Sequence, residues 1–589
     1  MQDSEATVLE YIEQFSAVFN ERLQDVLSQS LASQAGNITQ PIDSEQFSEL
    51  LTCAQVDPAK LVSEQMNCMQ QQMQLWQSAT KAMLGEKVQP VIDEARGDHR
   101  FKDEQWSKNP VYSYLKQAYL LNSKMLQNTV ESLEFEDPKV AEQVKFYTRQ
   151  YISAASPTNS ILTNPEVCSE IIQSKGQNLV KGLENFMHDI QRSPADAFSI
   201  TQTAADAFTL GETLAITPGK VIYQNDFIQL IHYTPVTEKV YKRPILITPP
   251  FINKYYILDL DKKKSLVSWL VEQGYSVFII SWVNPDERFA EKNFVDYMEQ
   301  GPMAALDVVQ KITRADKVNM VGWCVGGTLL ATAAAYLRAK EDPRINSLTF
   351  LTTLLDFADP GEVGVYLSEK NLPAIEQAAD KKGYFDGRVL GLGFSMLREN
   401  NLFWSYFVNN YLKGKDPAPF DLLYWNSDPT NFPAAAFKQY LHQTYINNNL
   451  KEAGAFVVKG IGIDLANIDV PCYFLSTIAD HIVPWQGSYR GAHLVSGPSR
   501  FVLSGSGHLA GVINPQEGGK YPHWINDQLA ESAESWFADS IKHEGSWWPN
   551  WNEWLAPQSG TKIKAQQPGR KKDFAVIEDA PGSYVKVRL

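Results

Sequence analysis

Cys324 lies in the run Lys317–Leu330, KVNMVGWCVGGTLL, with Gly322 and Gly326 two residues to either side. β-forming residues precede it and an alanine-rich stretch reaching Leu337 follows, so the expected context is strand, sharp turn, helix. On such a turn the nucleophile is exposed at the edge of a sheet, and neighbours without Cβ let strand and helix approach closely. The helix N-terminus brings backbone N–H groups and the positive dipole end to the sulfur, which favours thiolate over thiol. The chemistry this predicts is covalent acyl transfer through a thioester. The alternative is a buried, inert cysteine.

A triad on this turn runs nucleophile, acid, histidine along the chain. Asp480 follows the strand-like VPCYFLST at Val470, and His508 follows Arg500-Phe-Val-Leu on the glycine-bearing Ser504-Gly-Ser-Gly. They are the expected acid and base. His481 competes with His508, but adjacent side chains on an extended loop diverge, so His481 is assigned to an entrance or a local pair. Asp356, in TTLLDFADPG, is the alternative acid; Asp259, Asp428 and Asp464 read as caps, turns or surface. The expected oxyanion donors are the N–H groups of Val325, next to the nucleophile, and Ile252, in the Thr248–Asn253 loop after an earlier strand.

Holding these side chains together requires parallel strands joined by crossover helices. The candidate strands are Lys242–Thr248, Ser276–Trp282, Lys317–Gly322, Ser347–Leu355, Val470–Thr477 and Arg500–Ser504. Between the fourth and fifth lie more than a hundred residues, about 357–469, whose length predicts a cap over the site. Residues 1–200 are expected to form a mainly helical domain and 201–589 an α/β-hydrolase catalytic domain. Apolar spacing predicts a helix over Val8–Leu27. A second stripe, Met66, Met69, Met73 and Trp76, is read as packed into its own domain, with an adaptable partner- or lipid-facing surface as the alternative.

A net charge of −15 over 589 residues argues against nucleic acid as a partner. Five cysteines without CxxC pairs argue against a disulfide framework or zinc site. The acidic start, MQDSEATVLEYIEQF, is unlike a secretory signal, and the apolar run Ser276–Val283 is too short to span a bilayer. A cytoplasmic protein without a transmembrane segment is expected.

Read together, these stretches resemble the class I polyhydroxyalkanoate synthases, bacterial enzymes that make storage polyesters. The resemblance rests on PPFINKYYILDL (249–260), SWVNPD (281–286), GWCVGG (322–327), TTLLDFADPGE (352–362), WNSDPTNFP (425–433), DHIVPW (480–485), SGSGHLAGVINP (504–515) and GSWWPNW (545–551). It reaches into the helical region at FYTRQYISAASPTNSILTNPE (146–166) and covers nearly everything after about residue 95. It implies Cys324, Asp480 and His508 as a triad and an (R)-3-hydroxyacyl-CoA substrate, with short chains favoured. Coenzyme A is then part of the substrate and no separate cofactor is called for. It further implies a homodimer, attachment to polyester granules, and Arg398 as a contact for the CoA phosphates, the alternative being a solvated surface arginine.

Overall fold

The computed structural model describes residues 44–194, 197–368, 371–569 and 572–589, so the helix expected over Val8–Leu27 lies outside the described residues. The chain divides into two compact units, Met1–Ala204 with Leu392–Ala418, and Ala205–Gly391 with Pro419–Leu589. The long insertion is thus shared: its stretch Leu392–Ala418 belongs with the N-terminal helices.

The first unit is built on α1 (Pro58–Met83), α2 (Pro110–Glu131), α3 (Pro138–Ala154), α4 (Pro165–Ser174) and α5 (Gln177–Arg192). The first four begin with one device, an Asp or Asn followed by proline. Asp57, Asn109, Asp137 and Asn164 each accept a first-turn backbone N–H, while the proline occupies the position where a missing N–H costs nothing. Gly182 on α5 lets the backbone of Tyr411 approach; an added Cβ would lie 1.8 Å from the Tyr411 carbonyl oxygen. Asn178 and Asn185 donate to Leu412 O (2.8 Å) and Asn410 O (3.2 Å), and Tyr411 donates to Asp189 at 2.6 Å. On α1 the sequence reading fails. Met66, Met69, Met73 and Trp76 are more than half exposed, and the covered face is Cys68, Leu75 and Ala79. The stripe has helical spacing but lies on the side away from the neighbouring helix, a choice that periodicity alone does not make.

The second unit is an eleven-stranded mixed sheet. Its strands are β1 (Gly219–Gln224), β2 (Ile228–Tyr233), β3 (Ile245–Thr248), β4 (Val277–Trp282), β5 (Val318–Trp323), β6 (Ile345–Leu351), β7 (Cys472–Thr477), β8 (Ser499–Ser504), β9 (His523–Ile525), β10 (Ile541–His543) and β11 (Glu578–Asp579). Their order is β10-β9-β8-β7-β6-β5-β3-β4-β2-β1-β11. The six central strands are parallel and coincide with the six candidates within a few residues at each end. β4, β5 and β7 are buried along their whole length, which is why they stand out in the sequence as largely apolar runs. The flanking strands, missed by the sequence reading, pair antiparallel. Helix α6 (Val325–Ala339) leaves the end of β5, and nearly all of it is buried.

The crossing of β5 and α6 depends on absent side chains. A Cβ on Gly326 would lie 2.4 Å from Pro249 O and 2.5 Å from Thr248 O, and one on Gly322 2.5 Å from the Gly327 Cα. Since backbone atoms cannot step aside, Gly326→Ala is expected to displace the loop after β3 and cost about 1–3 kcal/mol. Urea unfolding of the variant checks this; unchanged stability would contradict the crossing described.

Candidate active site

Cys324 ends β5 and caps α6 with φ 52° and ψ −127°, a conformation costly for a residue with a Cβ. Its N–H donates to Leu351 O at 2.9 Å, and Trp323 Nε1 donates to Thr352 Oγ1 at 2.8 Å, so the turn is locked to the end of β6. Cys324 is partly exposed, whereas Cys472 is buried with its thiol pushed far up by that burial.

Asp480 lies on the loop after β7 with its side chain wholly buried. Its Oδ1 accepts the N–H groups of Ile482 and Val483, both at 2.9 Å. Oδ2 receives Thr477 Oγ1 at 3.2 Å and His508 Nδ1 at 2.7 Å. Every lone pair that points inward is used, leaving one direction for the imidazole. His508, after β8, is buried, which works against its charged form; Asp480 and Cys324, both bonded to the ring, outweigh this and raise its pKa to about 10. The structure therefore brings together Cys324, His508 and Asp480 from the ends of three parallel strands. Val325, directly after Cys324, begins α6. Ile252 lies in the loop after β3, its carbonyl accepting Thr430 N–H at 3.0 Å.

The other candidates are elsewhere. Asp356 is buried with Oδ1 bonded to Ala358 N–H (2.9 Å) and Asn448 Nδ2 (2.8 Å), and Oδ2 3.3 Å from Arg490 Nε and 3.7 Å from Lys451 Nζ. Burial would raise its pKa, but those bonds and cations hold it below the ordinary carboxylate range. It faces Arg490, not His508. His481, beside the acid, is partly exposed. Arg398 is exposed and belongs to the first unit. Asp464 caps a short 3-10 turn through Ala466 N–H, as read. Asp259, as read, caps a short 3-10 turn, at the end of Tyr255–Leu258, but neither it nor Asp428 is at the surface: both are buried, Asp259 bonded to Thr217 and Ser265 and Asp428 to Tyr256. Spacing does not reveal that a chain fold will carry these carboxylates inward. The sequence reading also missed Tyr440 and Tyr445, whose phenols are pushed up first by burial and also by the charge of nearby Cys324. They come from the long insertion, and no motif marks them.

Two family profiles match: "Poly-beta-hydroxybutyrate polymerase (PhaC) N-terminus" over residues 97–270 and "alpha/beta hydrolase fold" over residues 259–515. The poly(3-hydroxyalkanoate) polymerase subunit of Rhizobium meliloti is 42% identical over 532 residues, spanning 90% of this chain and 86% of that one. The corresponding subunit of Cupriavidus necator is 42% identical over 545 residues, 92% and 90% of the two chains. The chain belongs to the poly(3-hydroxyalkanoate) polymerase family. The polymerase is an acyltransferase on an α/β-hydrolase fold with a helical N-terminal region. Among its described residues no helix is long and apolar enough to cross a membrane.

The raised pKa of His508 has a consequence for stability. Between the ordinary value of 6.5 and about 10 the folded polymerase holds a proton that the unfolded chain has lost. The stabilisation is therefore complete below pH 6.5 and disappears as pH rises toward 10. His508→Gln should lie furthest below the wild type in melting temperature at pH 6 and converge on it by pH 9.5. Thermal scans across this range check the sign; a gap that widens with pH would contradict it.

Proposed function

We propose that the polymerase joins (R)-3-hydroxyacyl units, short-chain ones such as 3-hydroxybutyryl, from their coenzyme A thioesters, with Cys324 as the covalent nucleophile. The 2.7 Å bond between His508 and Asp480, beside a cysteine on a strained turn, is the observation that supports this reading most. The thiolate attacks the acyl carbonyl, the carbonyl oxygen takes negative charge, and collapse breaks the bond to CoA sulfur, which leaves with a proton from His508. The product is again a thioester, so the acyl group remains activated for ester formation. His508 next takes the proton from a 3-hydroxyl, whose oxygen attacks a thioester carbonyl. The carbon–sulfur bond breaks and the chain is one unit longer.

The N–H groups of Val325 and Ile252 stabilise the oxyanion in both steps. Asp480 holds the imidazole tautomer and stabilises its charge. The insertion at about 357–469 keeps water from the thioester. His481 lines the entrance. The steps call for no cofactor. On this reading the polymerase is cytoplasmic, works as a homodimer and remains attached to the growing granule.

The two carboxylates separate by step. First acylation needs little help from Asp480, because a cysteine sulfur is a strong nucleophile and no alcohol has to give up a proton in that step. Elongation requires a proton from an alcohol and leans on a stabilised imidazolium. Asp480→Asn should keep a measurable burst of CoA release and lose polymer formation by about 10²–10⁴-fold. Asp356→Asn should lower thermal stability, since Arg490 and Lys451 lose their counter-charge, while leaving the ratio of polymer to burst near wild type. Rapid-quench assay of CoA release from 3-hydroxybutyryl-CoA beside polymer yield checks both. Near-normal polymer from Asp480→Asn, or collapse of that ratio in Asp356→Asn, would overturn the assignment.

A further inference from the structure

The loop after β3 is gripped from one side by the segment Trp425–Thr430. Trp425 Nε1 donates to Lys254 O at 2.6 Å, Thr430 N–H donates to Ile252 O at 3.0 Å, and Asn253 forms an antiparallel bridge with Pro429. Around this seam lie charges that water does not reach. Lys254 is 2% exposed and Asp428 1%. Lys254 Nζ donates to Val587 O at 2.6 Å, and Tyr256 OH donates to Asp428 Oδ2 at 3.0 Å. Arg588 brings Nε to 3.7 Å from Asp428 Oδ1 and lays its guanidinium 4.4 Å above the Tyr424 ring. Asp428 Oδ1 has no hydrogen-bond partner among the described residues.

A buried ion cluster of this kind is an expensive source of stability. Desolvating an ammonium and a carboxylate costs several kcal/mol each, and well-packed apolar residues would often serve stability as well or better. Burial is costly enough here to push the Lys254 pKa down to about 8 against the attraction of Asp428. What the cluster does supply is direction. Lys254 is two residues beyond Ile252, its carbonyl is held by Trp425 and its ammonium by Val587. The backbone between them is thereby held on one side by the 425–430 segment and, through the Lys254 side chain, on the other by the Val587 carbonyl.

We propose that Lys254 is a positioning residue for the reaction: its buried ammonium, fixed by the Val587 carbonyl, aims the Ile252 N–H at the oxygen on which negative charge develops. This rests on the reading of Ile252 as an oxyanion donor. The interaction belongs to the transition state, so its loss lowers kcat more than it raises KM.

The test uses the full chain with (R)-3-hydroxybutyryl-CoA and three variants. Lys254→Met should lower kcat for CoA release about 10–100-fold with KM changed by less than about threefold. The double variant Lys254→Met/Asp428→Asn leaves no uncompensated carboxylate; it should recover the melting temperature lost in Lys254→Met while kcat stays low. If Lys254→Met does not fold, the double variant carries the same comparison. A backbone ester at Ile252, introduced as the α-hydroxy acid, removes the N–H alone and should lower kcat to a similar extent. Wild-type kcat in Lys254→Met, or kcat restored with stability in the double variant, overturns the positioning role. Loss in the ester but not in the lysine variants overturns that role alone. An ester with unchanged kcat overturns the oxyanion reading and this inference with it.

Discussion

The chain must turn from β5 into α6 at a non-glycine residue with positive φ, and the rest of the second unit is arranged so that this turn holds. The strain at Cys324 persists because the surroundings leave it no relief. Glycines at 322, 326 and 327 bring strand, helix and the loop after β3 into contact, and the N–H of Cys324 is tied to β6. Relaxing the turn would open the crossing and break the bonds between β5 and β6. The same constraint projects the sulfur beyond the sheet and sets it beside the first N–H groups of a buried helix.

The base and acid are held by a different means. Asp480 is a carboxylate with two backbone N–H groups on one oxygen and a hydroxyl and imidazole on the other. Burying a carboxylate without such bonds would be prohibitive. The loop conformation after β7 is therefore as much a requirement of the charge as the charge is of the loop. Asp356 illustrates the contrast: equally buried, it satisfies the same need with Asn448, Arg490 and Lys451, and its charge is used up in joining segments of the fold. Two aspartates after parallel strands thus acquire different work from their neighbours, not from their own chemistry.

In the helical unit local and long-range forces are also separable. The four Asx-Pro starts are set by residues adjacent in sequence. The docking of Leu392–Ala418 is set by a glycine on α5 and by asparagines reaching carbonyls more than two hundred residues away. An exposed Met and Trp stripe on α1 shows the limit of pattern reading: the helix follows from the spacing, while the covered face depends on which helix packs beside it.

By itself the sequence determined the six parallel strands, the elbow at Cys324, and the order in which Cys324, Asp480 and His508 follow them, because each is marked by residues within a few positions of one another. Strand burial writes itself as an apolar run, and a strained turn as glycines at fixed offsets. Only the tertiary structure decided that His508 bonds to Asp480 while Asp356 turns to Arg490. It also decided that Tyr440 and Tyr445 approach Cys324, that Lys254 and Asp428 lie buried, and that part of the insertion packs with the N-terminal helices. These outcomes depend on which distant segments share one volume, and the free energy of a buried charge or an apolar face is fixed by those neighbours, which no local spacing encodes.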